Sequence, residues 1–102
     1  MSNRVVDAVA AEVAEEKAGA LGRAGRALEA ALAELETFNP PADLPVDVRE
    51  ERRRRLVSRA AQLTLSVVVQ REACGLRNAG FVLEQYKVPQ EVIAALGRRM
   101  PR

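Results

Sequence analysis

Arg71, Cys74 and Arg77 recur at three-residue spacing within the segment Gln70-Arg71-Glu72-Ala73-Cys74-Gly75-Leu76-Arg77-Asn78. On a continuous helix such residues are neighbours on the surface. Two guanidiniums beside a thiol would lower its pKa and favour the reactive thiolate, giving a redox- or ligand-responsive centre. They could equally form an anion pocket across a dimer axis. The plainer alternative makes Cys74 a small core residue, with Gln70, Arg71, Arg77 and Asn78 fixing register and oligomeric state. Free cysteines are commonly buried and inert, which favours that alternative.

A second set of chemical groups is the run Arg52-Arg53-Arg54-Arg55. Four consecutive residues sweep about 300° of a helix and cannot share one face. Arg52, Arg55 and Arg59 form a stripe with Arg49 and Arg53 beside it, a candidate grip for nucleic-acid phosphates or another polyanion. Glu50 and Glu51 stand four residues before Arg54 and Arg55, the favourable order for intrahelical salt bridges. A solvated, self-paired face therefore explains the run as well. No aromatic stacking ladder or helix-turn-helix signal supports nucleic acid, so that partner has weak support.

Catalysis lacks its usual groups. The chain has no His, so Cys74 has no imidazole to activate it and a His-ligated metal is ruled out. Glu12, Glu15, Glu16, Glu29, Glu34 and Glu36 spread over a helix face without the Glu-x-x-His pairs of di-metal bundles. Gly19, Gly22 and Gly25 lack the strand-turn-helix setting of a nucleotide-binding loop and read as small residues that let helices approach. The chain reads as a non-enzyme with no cofactor and no metal.

The elements that position these residues are helices. In 102 residues only Phe38, Phe81 and Tyr86 are aromatic, and the apolar content rests on Ala, Val and Leu. Apolar residues at Val6, Val9 and Val13, then Leu21, Ala24, Leu28, Ala31, Leu35 and Phe38, predict a helix over 3–38 with a one-residue phase slip between Val13 and Leu21. Pro40, Pro41 and Pro45 make 39–46 a linker. Asp47 and Glu50 have capping-box spacing, and a second helix is expected over 47–86. A strand over Thr64 to Val69 is disfavoured because no partner strand is apparent. Pro89 suits the first turn of a short helix over 89–99, whose Val92, Ile93 and Leu96 should fold back on the second helix.

The second helix is apolar over most of its circumference between 56 and 69, so it needs cover on more than one side. Residues 1–38 carry a net −3 and residues 47–87 a net +4, which favours pairing the two long helices. An antiparallel hairpin covers one side; pairing two hairpins into a four-helix bundle covers the rest. The expected dimer seam is Leu56, Leu63, Val67 and Phe81. Cys74 alone allows no intrachain disulfide and suits a reducing compartment. An acid, Asp7, stands where a signal peptide needs its apolar stretch, and no run approaches the roughly 20 apolar residues of a membrane span. A cytoplasmic location without membrane attachment is expected.

Val68-Val69-Gln70-Arg71-Glu72-Ala73-Cys74-Gly75-Leu76-Arg77, with Glu84-Gln85-Tyr86 and Val88-Pro89-Gln90-Glu91-Val92, resembles a family of short bacterial proteins catalogued as a domain of unknown function. The resemblance covers about the C-terminal third. It implies a bacterial, cytosolic protein and brings no catalytic residue, cofactor or substrate. The sequence as a whole reads as an all-α, single-domain, homodimeric interaction or scaffold protein with an unidentified protein partner. The alternatives are polyanion or nucleic-acid binding through the Arg stripe, or a thiol-responsive regulator at Cys74.

Overall fold

The computed structural model describes residues 3–99, and they form four helices without a strand. Helix α1 (Arg4–Glu36) is one uninterrupted rod, capped by Asn3, whose Oδ1 accepts from the amides of Val5 and Val6. It ends at Thr37, whose hydroxyl donates to the Ala33 carbonyl at 2.9 Å just before the Asn39-Pro40 break. The phase slip and the glycines therefore cause no break. Helix α2 (Val46–Ala73) returns antiparallel to α1. Asp47 does not cap it: Pro45 holds the N-cap position, and its carbonyl accepts from Arg49 N at 3.0 Å, while Asp47 lies in the first turn. A proline there presets the entry dihedrals and forfeits no bonded amide.

The expected helix over 47–86 is divided. Gly75, at φ 80°, ends α2. Leu76 N donates to Arg71 O at 2.8 Å and Gly75 N to Glu72 O at 2.9 Å, the two bonds of a Schellman cap. Asn78, at φ 97°, then caps the short α3 (Ala79–Gln85) by accepting from Phe81 N at 3.2 Å. The same device ends α3: Lys87 takes φ 52°, Lys87 N donates to Glu84 O and Val88 N to Leu83 O. Pro89 follows as the residue before α4 (Gln90–Arg99), and its carbonyl accepts from Ile93 N at 3.0 Å.

Folding back α4 changes what covers α2. Val92, Ala95 and Leu96 join Val57, Ala60, Ala61, Ala31 and Leu35 in one core, while Leu28, Val67, Val68 and Val82 form a second. The apolar circumference of α2 is thus covered by α1 on one side and by α3 and α4 on others, within a single chain. The expected dimer seam is corrected accordingly. Val67 is fully buried in the chain's own core, Leu56 and Leu63 are half-buried against it, and only Phe81 remains exposed. The one buried polar side chain in this region, Thr64, is satisfied by donating to Ala60 O at 2.8 Å.

What this packing leaves over is half of α1. Residues 4–18 are exposed throughout, whereas Gly25, Leu28, Ala31 and Leu35 carry the buried line. Helix α2 ends beside Ala14 and Ala18, so the first turns of α1 extend past it as an arm. The molecule measures 70 × 28 × 20 Å, with a radius of gyration of 17.8 Å against about 13 Å for a compact chain of this length.

Candidate functional site

The polar segment at the end of α2 does not gather Arg71, Cys74 and Arg77 into one pocket. Arg71 lies 4.7 Å over the Phe81 ring in a cation–π contact. Arg77 falls beyond the helix end and is exposed, so the three-residue spacing no longer puts it beside Cys74. Asn78 is occupied as the α3 cap, and the Gln70 carbonyl accepts from Cys74 N. Arg71 and Asn78 border a cavity with Val68, Leu76 and Val82 that holds about 10 Å³, no more than one water, whereas Cys74 faces a separate groove. The cation–π contact and the helix cap give the side chains of Arg71 and Asn78 structural roles.

The Arg stripe is likewise dispersed. Arg49 donates to the carbonyls of Ala42 and Leu44 at 3.1 Å, tying down the proline linker. Arg53 makes a two-pronged ion pair with Glu91 that joins α2 to α4. That hydrogen bond raises the Arg53 pKa above its ordinary value; slight burial opposes it and the Glu91 charge assists. Arg54 and Arg55 both reach Glu51, at 2.9 and 3.2 Å. Arg49, Arg52 and Arg59 of the stripe make no ion pair with a described residue, and Arg49 is occupied by the linker carbonyls, which leaves Arg52 and Arg59. Two separate guanidiniums make a weak phosphate track. Among the described residues, no three His, Cys, Asp or Glu gather as metal ligands, and no helix is long and apolar enough to cross a membrane.

The surface with the least structural explanation is the arm. Val5, Val6, Val9 and Val13 are 71, 59, 54 and 45% exposed. At 100° per residue they fall within an arc of about 100°, rotated by roughly 65° from the Leu21–Leu35 line that meets α2. Beside them an open groove of about 510 Å³ runs between the arm and the end of α2, walled by Ala10, Val13, Ala14, Lys17, Ala18 and Cys74. Small apolar side chains there leave room for a helix to lie close. Val69, Leu76 and Phe81 add scattered apolar exposure near the α2–α3 turn. The valines were legible in the sequence as part of the first seam; that α2 stops short of them was not.

No family model, curated protein or solved structure matches the chain.

Proposed function

We propose that this chain is a helical interaction or scaffold protein that acts as a homodimer, with the α1 arm as its contact surface. The observation that carries the reading is the valine stripe, held on a helix beyond the reach of the chain's own core. Four exposed β-branched residues on one face are unfavourable in water and gain by being covered with a second helix. No catalytic role is assigned to the arm or to the polar segment, and none of the described geometry calls for a cofactor. A bacterial cytosolic setting, implied by the resemblance of the C-terminal third, belongs to the same proposal.

The experiment is a molar-mass measurement on the full chain and on Leu76→Ser and Val9→Asp variants. Val9→Asp should lose self-association while retaining its helical signal, because Val9 touches no buried residue of the core. Leu76→Ser, which alters apolar exposure away from the arm, should self-associate like the parent. Equal association of the parent and Val9→Asp would overturn the assignment of the arm.

A further inference from the structure

The arm carries a charge pattern as well as valines. Taking Val6, Val9 and Val13 as a, d and a of a heptad repeat places Val5 and Glu12 at g, and Ala10 and Lys17 at e. Glu16 takes the next d position, on the seam itself, and Lys17 at e lies on the wall of the open groove. Glu12, Glu16 and Lys17 are all exposed and make no ion pair with a described residue.

We infer that the occupant of the valine stripe is the same arm of a second copy, lying parallel and in register. The inference rests on the homodimer reading and adds its orientation. In a parallel pair each g residue faces the e residue five positions on in the partner. Glu12 then meets the partner's Lys17 on both sides of the seam, and Val5 meets the partner's Ala10 over the groove. All three valine layers stack on their own copies. An antiparallel pair faces g with g and e with e, so Glu12 has no Lys17 opposite it, and its a-against-d layers cannot set all three valines on valines. Val against Val at an a position also favours two parallel strands. Val9 at d admits a third strand, so the count of chains is part of the test. At the next layer Glu16 occupies d and meets the like charge of its own copy, which ends the pairing where α2 begins to cover α1. The two globular ends consequently sit side by side, presenting two copies of every surface in one direction.

The test is a charge swap read by light scattering, with circular dichroism to verify folding. Glu12→Lys and Lys17→Glu are exposed changes, and each alone should weaken dimerisation about tenfold by making both rungs repulsive. An equimolar mixture of the two variants should restore dimers, because every rung is then Lys against Glu. A parent chain that is monomeric overturns the homodimer reading itself. A dimeric parent whose single swaps associate unchanged, or whose mixture gains nothing over each alone, leaves the dimer standing and overturns the parallel register. A trimer mass overturns the two-strand pairing.

Discussion

Tyr86 and Gly25 meet where α1 passes the end of α3, and the fit has no spare volume. A Cβ placed on Gly25 would stand 2.5 Å from the Tyr86 hydroxyl oxygen but 3.6 Å from Cζ, an ordinary contact. Gly25→Ala should therefore cost about 1–3 kcal/mol by overpacking. Combined with Tyr86→Phe, which removes the clashing atom alone, most of that loss should return. A double-mutant cycle by urea unfolding reads the coupling, and simple additivity would contradict the contact. The two left-handed caps make a matched pair of opposite sign. A Cβ placed on Gly75 would meet nothing within 4 Å, so Gly75→Ala should lose about 1 kcal/mol from backbone conformation alone. Lys87 already bears that cost at φ 52°, and Lys87→Gly should gain up to about 1 kcal/mol in thermal unfolding. A loss at position 87 would mean its side chain contributes more than the strain removes.

At the level of elements, the helices differ in what holds them. The lower half of α1 is fixed by Leu28, Ala31 and Leu35, while the arm rests on its own backbone bonds and the Asn3 cap. About 15 residues of unsupported helix are marginal in water. Amide exchange over 5–14 should accordingly be faster than over 25–35 in dilute protein, and should slow as concentration rises. Exchange in the arm that is independent of concentration would separate it from assembly. Much of this arrangement was legible beforehand: the proline break, the long first helix, and the return of Val92, Ile93 and Leu96 onto the second helix. The division of 47–86 was not foreseen, although Gly75 followed by Leu76 is the C-terminal cap pattern and Asn78 a ready N-cap. Apolar periodicity carried through the turn because Phe81 and Val82 happen to continue the α2 phase, and it outweighed the local signals. The same error placed Arg77 beside Cys74. The misjudged seam has another cause: which side of an all-round apolar helix faces a partner depends on where the short helices land, and periodicity alone does not contain that.

For the whole molecule, the free energy of pairing is modest. The exposed valine seam is short and lies at one end of a long helix, so the dimer should be weak and its population should rise with concentration. Core substitutions behave differently: Val67→Asp buries a charge at a fully enclosed site and should unfold the chain rather than split a dimer. Circular dichroism distinguishes the two outcomes directly. The central claim, that the exposed valines of α1 join two copies, is tested most directly by light scattering across a concentration series reaching well above micromolar. The account predicts a mass that rises toward two chains for the parent, with Val9→Asp remaining at one chain and its core still folded. A parent that stays at one chain throughout would contradict it.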